Sequence, residues 1–270
     1  MDELKSMCAK VRENVVTTIG AFGVGHIGGS LSIVDVLVVL YEKHMRVDPS
    51  NPRMEGRDRL IISKGHAGPA VYGILAEKGF FDKSWLYTLN QSNTKLPSHC
   101  DMYKTPGIDM TTGSLGQGFS CAVGAAKASL LRKDGATIYT IIGDGESQEG
   151  QIWEAAMFAA QQKLHNVIAF TDYNNMQIDG DVDEICDIAP LADKWRAFGW
   201  DTVEIDGHDL KAIDEAICNA KKTDKPSMII LDTIKGKGVK FIEDMGYENH
   251  SITMTPEITE RALAEVRGEI

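Results

Sequence analysis

The sequence has no long hydrophobic run, and its first residues do not resemble a secretory signal peptide. The longest apolar runs, Val36–Tyr41 and Met228–Leu231, are far shorter than the roughly 18 residues that a membrane-spanning helix requires. The first residues, MDELKSMCAKVREN, are too polar for a secretory signal peptide. We therefore expect neither insertion into a membrane nor secretion.

Cysteine is scarce and unpaired in sequence. The chain has five cysteines, an odd number, and none of them lies in a CxxC pair. Because disulfide frameworks and zinc ribbons need paired cysteines at short spacings, both are excluded. A reducing cytoplasm fits this usage best. We interpret the five as structural or exposed thiols: Cys8, Cys100, Cys121, Cys186 and Cys218.

Positive charge is also in short supply. The 28 Lys and Arg residues are outnumbered by 39 Asp and Glu residues, which gives a net charge of −11. Such a chain is a poor general binder of nucleic acid or anionic lipid. An anionic ligand would therefore need local positive charge or a bound cation. The hydrophobic fraction of 43% in 270 residues is typical of a folded chain with a real core.

The apolar pattern predicts alternating helices and strands. Helices are expected over 1–22, 33–45, 67–79, 83–90, 115–132, 150–163, 189–198 and 209–221, and strands over 59–63, 136–142, 167–171, 202–205 and 228–233. A Gly-rich loop is expected over 20–29. Strand, helix and strand in this order indicate an α/β fold of three layers, α/β/α, with a mainly parallel central sheet. Ligands of such sheets bind where the strands end.

We interpret residues 1–270 as a single domain. Its parts would be a helical and Gly-loop lead-in (1–58), a sheet core (59–235) and a C-terminal segment (236–270).

Two polar motifs follow neighbouring predicted strands. The strand over 136–142 runs into Gly143-Asp144-Gly145, and the strand over 167–171 runs toward Asn174, 30 residues after Asp144. One crossover of this length places both at adjacent strand ends. A carboxylate, an amide oxygen and a following carbonyl such as that of Met176 suit Mg²⁺ or Ca²⁺, and Mg²⁺ shares its ligands readily with phosphate oxygens. The glycines and the helix that follows would let backbone N–H groups approach an anion.

Taken together, Gly143-Asp144-Gly145 through Asn174 resembles the thiamine diphosphate motif, and its surroundings resemble transketolase. Four blocks occur in that family's order: GHIGGS (25–30), SKGHA (63–67), TTGSLGQG (111–118) and GDGESQEGQIWEA (143–155). The resemblance covers roughly residues 10–250.

The resemblance implies a role for each matching residue. Asp144, Asn174 and the carbonyl of Met176 would hold Mg²⁺, for which Ca²⁺ or Mn²⁺ can substitute. The catalytic group around the reactive carbon and the sugar would be His26, His99 and His250, with Glu154 coupling two active sites across a dimer interface. The thiamine diphosphate site would comprise His66, Gly113, Ser114, Leu115, Gly145, Lys235 and His250. The histidines His44, His165 and His208 match no block, and we expect them at surface or capping positions.

The resemblance also implies a missing part. In the family, a second domain supplies the glutamate that activates the cofactor, and nothing in this sequence resembles that domain. We therefore expect the N-terminal subunit of a split transketolase, in an α2β2 assembly with a separate C-terminal subunit. It would transfer a two-carbon ketol unit between sugar phosphates, as in the pentose phosphate pathway.

Other interpretations remain open. They are another thiamine diphosphate enzyme, such as a 1-deoxyxylulose-5-phosphate synthase or an E1 α-subunit, a transketolase of a specialised ketose pathway, and a non-catalytic thiamine diphosphate-binding module. An NAD-dependent dehydrogenase is a further class, because Gly23–Gly28 reads GxGxxG. That fingerprint needs a preceding strand, and the pattern here predicts a helix.

Overall fold

The computed structural model describes all residues from 1 to 270. The helices are α1 (Asp2–Phe22), α2 (Ile27–Leu31), α3 (Val34–Val39), α4 (Gly68–Glu77), α5 (Gln117–Arg132), α6 (Gly150–Gln161), α7 (Val182–Cys186), α8 (Leu191–Ala197), α9 (Leu210–Ala220), α10 (Lys240–Glu243) and α11 (Pro256–Arg267). The strands are β1 (Val24–Gly25), β2 (Arg59–Ile62), β3 (Ile138–Gly143), β4 (Val167–Tyr173), β5 (Asp201–Asp206), β6 (Ser227–Asp232) and β7 (Ile252–Thr253).

Five of the strands form one parallel sheet, in the order β2-β3-β4-β6-β5. Because parallel neighbours need crossover connections, helices pass over the sheet between successive strands. All carboxyl ends therefore lie along one edge. The residues that follow β2, β3, β4 and β6 come together there, as the sequence predicts.

The sheet is covered by helices on both faces. Alternate strand residues face opposite sides, so that Leu60 and Ile62 join one apolar cluster while Ile61 joins the other. The first cluster includes residues of α1, α3, α4 and α9, and the second includes residues of α5, α6 and α8. The predicted three-layer α/β/α fold is confirmed.

The lead-in differs from the prediction at the Gly-rich loop. Helix α1 continues to Phe22, and α2 already begins at Ile27, so that the non-helical stretch is much shorter than 20–29. Buried packing allows Gly28 and Gly29 to be helical, because tertiary contacts override the weak helix propensity of glycine. The GxGxxG stretch follows a helix, as expected, and not the long strand of a dinucleotide site.

The two ends of the chain meet beside the main sheet. Strand β1 pairs antiparallel with β7, with Val24 opposite Thr253, and α11 packs against α1. This pairing brings His26, just after β1, near His250, just before β7. Other boundaries shift slightly: the helix predicted over 33–45 ends in a π-helical turn at Leu40–His44, and the one over 83–90 is a 3₁₀ helix at Lys83–Thr88. None of the helices is both long and apolar enough to cross a bilayer.

Candidate functional site

A cavity of about 510 Å³ opens at the carboxyl ends of β3 and β4, a size within the usual range of small-molecule sites. Its lining contains most of the residues that the sequence nominated: His26, His66, His99, Gly113, Leu115, Asp144, Gly145, Asn174, Met176, Lys235 and His250. Two nominated residues lie outside it, Ser114 and Glu154. The cavity thus collects segments that are distant in sequence, from residue 26 to residue 250.

Four histidines from four separate segments surround one side of the cavity. The ring of His26 lies 5.4 Å from that of His66, 5.7 Å from that of His99 and 5.4 Å from that of His250, centroid to centroid. The rings of His66 and His250 are 5.0 Å apart. Such a group offers several hydrogen-bonding nitrogens to one bound molecule.

Burial keeps these imidazoles neutral. It lowers the pKa of His26, with a smaller contribution from His99, and it lowers the pKa of His99 itself. The pKa of His66 falls well below 6.5 through burial and the charge of Lys64. Burial and the nearby Lys235 lower the pKa of His250 to about 3. At neutral pH each ring therefore has one donor and one acceptor nitrogen.

The predicted metal ligands are adjacent. Asp144 Oδ2 accepts a hydrogen bond from the backbone N–H of Asn174 at 2.9 Å, which ties the end of β3 to the end of β4. The amide oxygen of Asn174 accepts from the N–H of Met176 at 3.2 Å. The end of β3, which carries Asp144, is therefore joined to the turn after β4 that carries Asn174 and Met176.

The electrostatics of Asp144 favour a cation beside it. The residue is 3% exposed and forms no salt bridge. Burial and the charge of Asp172 raise the pKa of Asp144 to about 6. A buried carboxylate of this kind is stabilised when a metal ion supplies the missing positive charge. Hard oxygen donors and a buried carboxylate without a salt bridge together fit a divalent ion such as Mg²⁺.

The backbone N–H of Gly145, which the resemblance assigns to the diphosphate, already has a hydrogen-bond partner in the protein. Its backbone N–H donates to Asp144 Oδ1 at 2.7 Å. Binding a diphosphate through this N–H therefore requires the carboxylate to turn away, which coordination of a metal ion by Asp144 would favour.

A buried ion pair at the cavity wall was missed in the sequence. Asp172, fully buried on β4, accepts hydrogen bonds from the ammonium of Lys64, from Thr233 Oγ1 at 2.5 Å and from Ser32 Oγ at 2.7 Å. Burial raises the pKa of Asp172, but these partners, Lys64 above all, outweigh it and hold the pKa below its ordinary value. Asn174 Nδ2 donates to the same carboxylate at 3.2 Å, which leaves the amide oxygen for a ligand. The sequence contains one indication of this buried carboxylate, because the charged Asp172 directly follows the buried run IAFT (168–171).

Glu146 is a second residue that sequence reasoning passed over. Its carboxylate accepts from the hydroxyl of Ser63, from Gly116 N at 2.8 Å and from Gly143 N at 3.0 Å. It therefore joins three of the four sequence blocks at one point. Burial raises the pKa of Glu146. Its position three residues after Gly143 in the GDG motif was the only hint.

The blocks SKGHA and TTGSLGQG touch through a glycine. A Cβ atom on Gly65 would lie 2.7 Å from Thr112 Oγ1 and 2.9 Å from Gly113 N, so that only glycine allows this approach. The contact sets the loop before α5 beside His66. Gly113 and Leu115 line the cavity, whereas the side chain of Ser114 is exposed to solvent.

Lys235 enters the cavity from the loop after β6. It is 3% exposed, and its Nζ donates to the carbonyl of Met176 at 3.4 Å. Burial lowers the pKa of Lys235 to about 8, against the opposing charge of Asp144. The ammonium therefore provides positive charge next to the predicted metal ligands.

Glu154 lies on the exposed face of α6, outside the cavity. Met157 and Phe158 on the same helix are 58% and 47% exposed. An apolar exposed surface around Glu154 is compatible with an interface, and its coupling role stays a prediction.

Two of the three unassigned histidines are not simple surface groups, contrary to expectation. His44 Nε2 lies 2.8 Å from Asp214 Oδ1, and His208 Nδ1 lies 2.7 Å from Asp35 Oδ2. Their side chains are only 5% and 12% exposed, because each is enclosed between elements distant in sequence. His165 is exposed, as predicted.

Comparisons with known proteins identify the family of the chain. The family described as "Transketolase, thiamine diphosphate binding domain" matches residues 4–257. A 6-deoxy-6-sulfo-D-fructose transketolase subunit of Clostridium sp. is 55% identical, covering 99% of this chain and 97% of that protein. An apulose-4-phosphate transketolase subunit from Phocaeicola vulgatus is 38% identical, covering 100% of this chain and 96% of that protein.

Longer relatives match over part of their length. The crystal structure of transketolase from Campylobacter jejuni superposes with a TM-score of 0.91 at 31% identity, covering 99% of this chain but 43% of that one. The chain likewise spans 43% of human transketolase, at 32% identity. The chain therefore belongs to the transketolase family of ketol-transferring enzymes, and it corresponds to that family's thiamine diphosphate-binding domain.

Proposed function

We propose that this chain is the N-terminal subunit of a two-chain transketolase, which transfers a two-carbon ketol unit from a ketose to an aldose phosphate. The observation that carries the proposal is the cavity itself. It brings the oxygens of Asp144, Asn174 and Met176 together with Lys235 and the four histidines in one cavity.

In this proposal the turn after β3 and β4 binds Mg²⁺ and the diphosphate. Asp144, the Asn174 amide and the Met176 carbonyl hold the ion, for which Ca²⁺ or Mn²⁺ can substitute. Lys235, His66 and the N–H of Gly145 bind the phosphate oxygens. Lys64 remains paired with Asp172, and the carboxylate of Asp172 positions Asn174 by accepting a hydrogen bond from its Nδ2.

The rest of the cavity positions the thiamine and the sugar. The backbone of Gly113, Ser114 and Leu115 lies against the aminopyrimidine. When bound, thiamine diphosphate supplies a nucleophilic carbon and an electron sink for cleavage of the ketose bond between C2 and C3. The neutral rings of His26, His99 and His250 hydrogen-bond the sugar hydroxyls and move protons to and from its oxygens.

A separate C-terminal subunit completes the proposed enzyme. The chain matches 43% of the length of human transketolase. Relatives of similar length are themselves named as subunits, and this supports a partner chain. We propose an α2β2 assembly in which Glu154 couples the two active sites across the exposed face of α6.

The substrates are proposed from the relatives. The name of the 55% identical relative specifies 6-deoxy-6-sulfofructose. Like a ketose phosphate, this sugar is a ketose with an anionic terminal group. This identity favours the sulfosugar as a second candidate donor, and with it a specialised pathway rather than the pentose phosphate pathway.

The test is an assay of ketol transfer by this chain together with a candidate C-terminal subunit, thiamine diphosphate and Mg²⁺. Xylulose 5-phosphate, fructose 6-phosphate and 6-deoxy-6-sulfofructose would be compared as donors, with glyceraldehyde 3-phosphate as acceptor. We expect turnover only when both chains are present, and none in an assembly carrying Asp144→Ala. Full turnover by this chain alone would refute the two-chain proposal, and a complete assembly inactive on every donor would refute transketolase activity on these substrates.

A further inference from the structure

The loop that carries Lys235 is held from outside the cavity. The backbone N–H of Ile234 donates to His208 Nε2 at 2.9 Å, and the carbonyl of Lys237 accepts from Arg12 Nε at 3.0 Å. His208 lies between β5 and α9, and Arg12 lies on α1. Neither lines the cavity, so neither can act on a bound molecule directly.

One carboxylate connects these two contacts. Asp35 Oδ2, on α3, accepts from the guanidinium of Arg12 at 2.6 Å and lies 2.7 Å from His208 Nδ1. The side chains of Asp35, His208 and Arg12 are 6%, 12% and 13% exposed. Burial raises the pKa of Asp35, but His208 and Arg12 outweigh it and hold the pKa below its ordinary value, so that the carboxylate stays charged.

The hydrogen bonds assign the proton on His208. Because Nε2 accepts from the N–H of Ile234, that nitrogen carries no proton, and the proton is on Nδ1, which donates to Asp35. Asp35 therefore selects the tautomer of His208 that can bind the loop. The same carboxylate orients Arg12 for the other end.

We infer that Asp35, His208 and Arg12, here called the loop clamp, form a set of positioning residues that fixes the placement of Lys235 in the cavity. The clamp hydrogen-bonds the backbone on both sides of Lys235, at the N–H of Ile234 and at the carbonyl of Lys237. The role of Lys235 in binding the diphosphate rests on the proposed function, whereas the position of its side chain in the cavity does not.

Two further bonds hold the loop from the inside. Asn249 Nδ2 donates to the carbonyl of Lys235 at 3.0 Å, and the N–H of Gly236 donates to the carbonyl of Gly28 at 3.0 Å. Releasing the clamp should therefore loosen the loop without unfolding the cavity. Local openings of this kind expose a buried amine intermittently, and an amine-reactive reagent detects them.

The experiment compares His208→Asn with His208→Gln in the full chain, without cofactor. The shorter Asn amide reaches Asp35 but not Ile234, whereas the Gln amide extends to the position of Nε2 and can accept from Ile234. Lysines would be acetylated with a pulse of acetic anhydride, and the rates at Lys235 and Lys64 measured by mass spectrometry. Lys64 is the internal control, because it is equally buried in the same cavity but is held by Asp172.

We expect acetylation of Lys235 to rise at least threefold in His208→Asn and to stay near the wild-type rate in His208→Gln, with Lys64 unchanged in both. His165→Asn, at an exposed histidine, should change neither rate. An equal rise at Lys235 and Lys64 would overturn the inference, because it would indicate a general loosening. An unchanged Lys235 rate in His208→Asn would also overturn it.

Asp35→Asn provides an independent variant should His208→Asn fail to fold. An amide facing Nδ1 can donate to it and so place the proton on Nε2, which then repels the N–H of Ile234. The Lys235 rate should again rise at least threefold, and an unchanged rate would overturn the inference. Because no sugar or partner chain is used, an inactive assembled enzyme would count against the proposed function and not against the clamp.

Discussion

Replacing Asp144 with Asn should have opposite effects on the stability of the cofactor-free chain and on cofactor binding. The carboxylate is 3% exposed, accepts two backbone hydrogen bonds and forms no salt bridge. An amide of the same size removes the buried charge but keeps the shape. The folded chain should therefore gain stability while it loses its principal metal ligand.

The magnitude follows from the pKa of Asp144, raised from 3.8 to about 6 by burial and by Asp172. At about 1.36 kcal/mol per pH unit, ionisation of this group lowers the free energy of unfolding by about 3 kcal/mol at neutral pH. The amide can accept from only one of the N–H groups of Gly145 and Asn174, and the lost hydrogen bond costs about 1 kcal/mol. The variant should be more stable by about 2 kcal/mol.

The stability difference between Asp144→Asn and wild type depends on pH. Because the folded-state pKa is raised, the destabilisation by Asp144 is complete above about pH 6 and disappears as the pH falls toward the ordinary value. Urea unfolding at about pH 8 should show the full difference between Asp144→Asn and wild type, and at about pH 5 the difference should be at most half as large.

Calorimetry with thiamine diphosphate and Mg²⁺ gives the other half of the test, in which Asp144→Asn should show no metal-dependent binding. The matched control is Asp179→Asn, which removes an exposed carboxylate from the cavity mouth and should change neither quantity appreciably. A less stable Asp144→Asn chain at about pH 8, or one that retains full metal-dependent binding, would refute the reasoning.

Three further predictions concern the same cavity. His26→Ala should reduce turnover about 100-fold while thiamine diphosphate affinity, measured by calorimetry, changes much less; equal losses would argue against a role at the sugar. Lys64→Met should lower the free energy of unfolding in urea by about 3 kcal/mol, because it leaves Asp172 buried without its cation, and no loss would contradict that pairing. The lowered pKa of His250 makes the folded chain lose stability as the pH falls below about 6.5. His250→Phe should therefore show a smaller loss of melting temperature between about pH 7 and pH 5 than wild type, and an equal loss would contradict the burial of that ring.

The sheet and most of the cavity lining could be predicted because the signals are local. The β-branched runs indicate strands, and polar residues at strand ends indicate a ligand site whenever the strands are parallel. Asp144 and Asn174 needed only one crossover to become neighbours, and the structure joins them by a backbone hydrogen bond at 2.9 Å.

Contacts that depend on the packing of distant segments could not be predicted in this way. Lys64 follows β2 and Asp172 ends β4, and their pairing requires the strand order, which places β3 between them. His208 matches no motif and is therefore expected at a surface or capping position, yet it contacts Asp35, 173 residues away. The partner of the Gly145 N–H was also hidden, since a GDG motif does not reveal which way its carboxylate turns.

The charges inside the cavity bear on how an acidic chain holds a diphosphate. Lys64 is already neutralised by Asp172, and the charge of Lys235 is opposed by Asp144. The histidines cannot make up the difference, because burial lowers their pKa values and His250 gains a proton only near about pH 3. Without a divalent ion, the inner cavity therefore has almost no net positive charge to offer to the diphosphate.

Metal dependence of binding should consequently persist in mild acid. Lowering the pH from about 8 to about 6 in the presence of a chelator should restore only a small part of thiamine diphosphate binding. Protonation of Lys235 and Asp144 makes the cavity slightly more positive over that range, but the rings of His66 and His250 stay neutral. Calorimetry at both pH values, with and without Mg²⁺, measures this directly. Metal-free binding at about pH 6 that is as tight as binding with Mg²⁺ would mean that bound protons can replace the cation, and it would refute the need for a metal ion at Asp144.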